Sequence, residues 1–429
     1  MPGFVDNRKN LDNSQNYVDL RGSQFYADAV YDNFSKKEYQ RRHKLVRSFM
    51  EKEQLDCLVI GGGGYHFSSC YGVGWLTGHT REWHSMAVYL VFPRDGEPTL
   101  VYSMGGPQLE AARRSVVIDD VRPSGTQFQA SSLGHFGDVI VARLKELKLE
   151  DGNIGITDCD SRFHDYMPVN QYNAMVENLP QARFRFIKGL FHELWSIKSD
   201  EEVDAIEKAA LLCDRAVEAM VDRAKPGVRE YELRAAAANA IIEGGGDFNF
   251  LIIGSTPMSN PKMFFGNVRP SARILQEGDI VIDELAAEYK GFHAQIGTPI
   301  CVGTPTAKVK EFFDNIVLPG FQTLEETLKP GNTLEDVRSA STFFRQRGYQ
   351  SGPVIMHGLG VSSEGPEVTV QKVNAEPYEF QMQPNMTFML EPDPIIPEGT
   401  FGILLGHSFL ITKTGRRRLT QYPLQLTVA

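Results

Sequence analysis

The stretch GDIVIDELAAEYKGFHAQIGTPICVG (278–303) decides how this chain folds. IVIDEL and GFHAQIGTPI carry the β-branched and aromatic residues of strands, and only a short turn separates them. A two-residue turn at Tyr289-Lys290 sets Glu288 against Gly291, Ala286 against His293 and Glu284 against Gln295. Side chains alternate between faces, so Glu284, His293 and Gln295 share one face with Ile280 and Ile282. A carboxylate facing an amide inside an apolar hairpin is costly without a ligand or partner, and the isoleucines argue against a solvated face.

Around this hairpin one grammar is written twice. Helix DEEVDAIEKAALLCDRAVEAMVDRA (200–224), capped by Ser199 or Asp200, stops at KPG (225–227), and helix REYELRAAAANAIIEG follows. A hundred residues on, helix VKEFFDNIVLPGFQTLEETL stops at KPG (329–331) before helix TLEDVRSASTFFRQRG. Each unit runs into strands, so the spacing predicts an internal duplication with pseudo-two-fold symmetry over 191–429. Residues 36–190 alternate helix and strand patterns: helix 36–53, strands 57–60, 87–92, 98–103 and 153–158, and an amphipathic helix at 134–149. Residues 1–35 are polar and read as an N-terminal extension.

The 429 residues carry 42% apolar side chains, enough for two large cores, and a net charge of −10. An acidic chain without a basic cluster argues against nucleic acid and against an anionic membrane surface. No apolar run is long enough to span a bilayer, and the N-terminus lacks the apolar run of a signal peptide. Five scattered cysteines without a C-x-x-C pair point to buried thiols of a cytoplasmic protein.

Three further stretches carry polar residues where strands lead into loops. HGLGVSSEG (357–365) places His357 and Glu364 around glycines. NMTFMLEPDP (385–394) runs an apolar strand into Glu391, and GILLGHSFLIT (402–412) interrupts another with Gly406-His407. The glycine beside His407 removes a side chain and makes room for a pocket.

In this order, GDIVIDELAAEYKGF, HGLGVSSEG, MTFMLEPDPIIPEG and the linker IKSDEEVDAIEKA resemble the pita-bread family of creatinase, aminopeptidase P, prolidase and methionine aminopeptidase. The resemblance implies an α/β N-terminal domain and an α+β, pseudo-two-fold catalytic domain. The family's peptidases hold two metal ions with two aspartates, one histidine and two glutamates. Those positions fall here on Glu284, Gln295, His357, Glu391 and Gly406. One carboxylate has become an amide and another has no side chain, and two divalent ions need several anionic oxygens. The chain is similar in this respect to the metal-independent creatinase branch, so no metal and no other cofactor is expected. It departs from creatinase at its catalytic histidine position, Asn267, and at Glu364, where relatives have an imidazole.

The reading that follows is a metal-independent hydrolase of a C–N bond in a small, partly cationic metabolite. Glu284, Glu391, His357 and Glu364 are the catalytic candidates, with His357 or Glu364 as base. His407, Gln295, Asn267, His293, Arg81 and Trp83 are the substrate-binding candidates, the last two from the stretch GHTREWHSMAV (78–88) that closes a neighbour's pocket in creatinase-like homodimers. The alternatives are a metal-dependent Xaa-Pro peptidase or lyase on the same fold, with a single ion on Glu284, His357 and Glu391, and a non-catalytic binding module.

Overall fold

The computed structural model describes residues 26–62, 71–80, 87–124, 135–157, 167–361, 363–371 and 380–429. Arg81 and Trp83 lie outside them, as does the side chain of Glu364. The first half is built on a six-stranded mixed sheet: β1 (Cys57–Gly62), β2 (Val88–Pro93), β3 (Thr99–Tyr102), β4 (Asp120–Pro123), β5 (Asn153–Thr157) and β6 (Arg183–Ile187), in the order β4-β3-β2-β1-β5-β6. Helices α1 (Lys36–Lys52), α2 (Tyr71–Thr77), α3 (Gly106–Ser115), α4 (His135–Glu146), α5 (Val169–Asn178) and α6 (Leu190–Trp195) accompany it. β2 is buried along its whole length, which suits its unbroken apolar sequence to a sheet covered on both faces.

The second half begins with α7 (Asp200–Arg223) and α8 (Glu230–Glu243), and its remaining helices are α9 (Ala307–Phe312), α10 (Leu318–Glu325) and α11 (Leu334–Gln346). Its strands are β7 (Asp247–Pro257), β8 (Asp279–Tyr289), β9 (Phe292–Gly297), β10 (Ile300–Cys301), β11 (Gln350–Ser351), β12 (Val354–Leu359), β13 (Ser363–Thr369), β14 (Thr387–Leu390), β15 (Pro394–Ile395), β16 (Gly406–Ile411), β17 (Arg416–Arg418) and β18 (Thr427–Val428). One large sheet runs β13-β12-β14-β16-β9-β8-β10-β18, with β7 on β8 and β17 on β16. The helix–KPG–helix units recur as expected, with one difference. The third long helix is split by a π-helical turn at Phe313–Val317. Pro319 follows two residues later. Proline has no N–H to give and crowds the carbonyl four residues back, and a wider turn absorbs both faults.

Helix pair and sheet bury one another. Ile206, Ala209, Cys213, Val217 and Met220 of α7 share a core with Leu251, Val281, Leu285 and Ile296. Phe321, Leu324, Val337 and Phe344 of the second helix pair share another with Phe388, Leu390 and Phe409. Strand alternation then turns Glu284, Gln295 and Glu391 to the opposite, inner face of the sheet. Ser199 caps α7, and Glu202 completes a capping box with it.

Two anchors tie the halves together around this hairpin. Arg42 of α1 is buried; its Nε donates to Glu38 at 2.8 Å, Nη1 donates to the Trp75 carbonyl at 2.8 Å, and Nη2 lies 3.2 Å from Glu202. Its guanidinium also sits over Phe34, 4.2 Å from the ring centroid, and 5.6 Å from that of Phe292. Asp32 accepts from Tyr289 Oη at 2.5 Å and pairs with Lys290 at 2.7 Å, so the arm before α1 holds the tip of the β8–β9 turn. Among the described residues no helix is long and apolar enough to cross a membrane.

Candidate active site

The β8–β9 hairpin turns one residue later than its sequence suggests. Lys290 and Gly291 occupy the turn with φ of 52° and 79°, the left-handed pair of a type I′ hairpin that glycine favours. Glu288 therefore faces His293, Ala286 faces Gln295, and Leu285 faces Ile296. The register moves by two, so the faces are unchanged: Glu284, Glu288, His293 and Gln295 share the inner one. All four are buried. Ala286 lies between the two glutamates on this face, opposite Gln295.

Two neighbouring strands complete the site. β12 carries His357, and β14 runs directly into Glu391. His357 sits opposite Met389, which lies two residues before Glu391 and on the same face. His357 Nε2 lies 3.6 Å from Glu391 Oε1, and its Nδ1 is 2.7 Å from the Gly358 carbonyl. Nδ1 therefore carries the proton in the neutral ring and Nε2 presents its lone pair to Glu391. Glu284 and Glu391 are neighbours on the inner face, close enough that the charge of Glu391 makes Glu284 harder to ionise. Burial pushes Glu391 up to about 8, helped by the charges of Glu367 and Asp393. Burial also holds Glu284 well above the usual carboxylate range; the charge of Glu391 adds to this and His357 opposes it.

Asp393 is a site residue that the sequence reading overlooked. It is buried, held well above its ordinary range by burial and by Glu284, and its Oδ1 has no hydrogen-bond partner. Gly352 and Gly402 pack directly on it; a Cβ at Gly402 would sit 2.9 Å from Oδ1. Its signal lay in EPDP: a residue two beyond Glu391 returns to the same side. Glu367, opposite His357 in β13, is the other residue missed.

The remaining candidates divide. His293 joins the inner face; burial, His357 and Lys198 pull its imidazole down to about 3, so it stays neutral. Its backbone N–H donates to Gly360 at 2.8 Å, which clips the hairpin to the His357 loop. His407 does not join the site. It pairs with Leu390 and Ile296 on the helix-facing side, makes an edge contact with Phe321 of α10, and its Nδ1 lies 2.8 Å from Thr420 Oγ1. Asn267 is also placed elsewhere: it is exposed, and its Oδ1 accepts from the Arg269 N–H at 3.1 Å in a local turn. The backbone of Glu364 pairs with Gly358, and the next N–H, of Gly365, donates to His192 Nδ1 at 3.3 Å.

The donors do not suit a two-metal centre. Gln295 offers a neutral amide, and Gly406 offers nothing. A Cβ on Gly406 would lie 2.4 Å from Met389 Cε, so a methionine methyl fills the space an acidic side chain would need. Among the described residues, no three His, Cys, Asp or Glu side chains are spaced to hold a metal ion.

Comparison with known proteins places this site in a family. Residues 204–413 match the model of metallopeptidase family M24, and residues 42–195 that of the creatinase/prolidase N-terminal domain. An uncharacterized hydrolase/peptidase of Sinorhizobium fredii is 26% identical over 92% of this chain and 97% of its own. The Xaa-Pro dipeptidase of Pyrococcus furiosus is 29% identical over 58% of this chain and 71% of its own. The fold matches the X-Pro aminopeptidase of Thermotoga maritima with a TM-score of 0.73 at 20% identity, over 90% of this chain and 99% of that one. The two matched regions cover both halves of the molecule in order, and the chain belongs to the pita-bread M24 family with a creatinase/prolidase N-terminal domain.

Proposed function

We propose that the protein hydrolyses an amide C–N bond in a small peptide or peptide-like substrate, using carboxyl and imidazole side chains in place of a two-metal centre. The likeness to Xaa-Pro dipeptidases supports a peptide bond over the creatinase-like, non-peptide substrate that the sequence suggested. The observation that carries the reading is the Glu284–Glu391 carboxyl pair beside His357. In such a pair the ionised form of one carboxyl, Glu391 as the pH rises toward 8, takes a proton from an attacking water. The other is protonated and gives its proton to the leaving amine, so the pair ends each turnover with the one proton it began with. His357 Nε2 is placed to relay between Glu391 and the reacting atoms. The wall of Glu284, Glu391 and Asp393 favours a substrate that carries positive charge.

The M24 metallopeptidase match favours a second reading, a single divalent ion on Glu284, His357 and Glu391. One experiment separates the readings: amine release from a panel of Xaa-Pro and other dipeptides, with and without chelator, on protein whose metal content has been measured. Turnover that survives chelation supports the first. Loss on chelation and recovery with one equivalent of Mn, Fe, Co or Zn supports the second. Release from guanidino acids such as creatine, with no peptide cleaved, returns the creatinase-like reading.

A further inference from the structure

His293 is wholly buried on the inner face of the sheet, and neither of its ring nitrogens has a hydrogen-bond partner among the described residues. A buried imidazole in that state is costly, because the bonds it made to water are not replaced. Its strand neighbours do not relieve it. Glu288, opposite on β8, accepts from Asn249 Nδ2 at 3.3 Å. On the other side the backbone N–H of His293 donates to the Gly360 carbonyl at 2.8 Å, three residues beyond His357. Gln295 stands two residues along on the same face. The ring is thus held between the acidic hairpin and the His357 loop, where Glu284, Glu391 and His357 meet. Burial first, then the charges of His357 and Lys198, keep it neutral.

Hydrolysis of an amide needs a group of this kind. Attack by water drives charge onto the carbonyl oxygen, and a donor already in place lowers the barrier. An ionised carboxylate only accepts hydrogen bonds and repels that charge. His357 keeps its proton on Nδ1, against the Gly358 carbonyl, and turns its lone pair to Glu391. An imidazole carries at least one N–H in either protonation state, so His293 can donate without surrendering a proton. We infer that His293 is a further catalytic residue, whose ring N–H donates to the carbonyl oxygen of the scissile amide and holds the oxyanion as it forms. The inference rests on the amide hydrolysis proposed above. As water adds, the C=O π pair moves to oxygen and the water's proton to the ionised carboxyl. As the C–N bond breaks, the pair returns to C=O and the protonated carboxyl gives its proton to the amine. His293 keeps its own proton throughout, and the balance of the carboxyl pair is unchanged.

Steady-state kinetics of the full chain on a dipeptide that the wild type cleaves test this, together with inhibition by a phosphinic analogue of that dipeptide, whose P–O⁻ stands where the oxyanion forms. His293→Phe keeps a ring and removes both nitrogens. It is expected to lower kcat by about 10²–10³, with KM changed only a few-fold, and to weaken the phosphinic analogue in proportion to the loss of kcat. His293→Gln restores an N–H and should recover most of the rate. His293→Met set against His293→Gln repeats the contrast, with two chains of similar length, should the phenyl ring prevent folding. A role in packing alone would move the melting temperature and leave the proportion between kcat and analogue affinity unmade. Wild-type cleavage that the variants without a donor match within a few-fold overturns the inference and leaves the amide reading standing. A wild-type chain that cleaves no peptide of the panel overturns both.

Discussion

Arg42 Nη2 lies 3.2 Å from Glu202 Oε1, and both side chains are shut away from solvent where the N-terminal helix meets the first helix of the catalytic half. Trp75 Nε1 donates to the same glutamate oxygen at 2.6 Å, and Arg41 pairs with the other at 3.0 Å. A buried charge is tolerated only while its partner is present. Arg42→Met leaves Glu38 and Glu202 short of a counter-charge, and should cost about 3–5 kcal/mol of stability. Urea unfolding measures this; a loss under about 1 kcal/mol would show that the halves are held together by apolar packing alone.

Glu391→Gln keeps the shape of the side chain and removes its proton transfer. Burial already favours the neutral carboxyl, with a pKa near 8, so the melting temperature should hardly change. Turnover should fall by about 10²–10⁴, the usual worth of a general acid or base. Wild-type turnover in the variant would take Glu391 out of the chemistry.

Glu364→Gln tests the loop carboxylate in the same way. Its backbone is paired with Gly358, one residue from His357. If it transfers a proton, turnover again drops by about 10²–10⁴. A change of only a few-fold, with unaltered melting, would make it a structural residue of the loop.

His79 gives the fold an acid-sensitive point outside the carboxyl pair. It is buried, edge-on to Tyr102, and burial lowers its pKa from 6.5 to about 4. Above pH 6.5 both folded and unfolded chains hold it neutral, and it contributes no slope. As the pH falls from 6.5 toward 4, the unfolded chain takes up a proton that the folded chain refuses, and stability declines. The loss is complete below about pH 4 and amounts to about 3 kcal/mol. His79→Asn should remove that part of the slope; unfolding curves at pH 7 and pH 5 that fall in parallel for both proteins would refute it.

The sheet, the helix pairs and the inner-face residues were legible because they follow from strand alternation. The hairpin shows how robust that is: its turn sits one residue off, yet Glu284, His293 and Gln295 keep their face, because a shift of two restores parity. The same rule, applied to Gly406-His407, would have avoided an error. If residue 406 faces the site, residue 407 cannot, and the glycine that seemed to make room for the imidazole makes none on the helix-facing side. Asn267 was less accessible to such reasoning, because a turn outside the strands sets its direction. Asp393 was hidden by its prolines, which end the strand pattern although the side chain still returns inward.

The methionine methyl beside Gly406 bears on how this site can vary. A Cβ at 406 would lie 2.4 Å from Met389 Cε and 3.5 Å from Glu391 Cβ. The end of a methionine is flexible and can swing aside, so packing alone does not bar Gly406→Glu. Charge opposes it instead: a further carboxylate would be buried beside one whose ionisation burial already resists. A lineage that starts from this chain regains an acid at 406 at little cost only together with a cation that neutralises it.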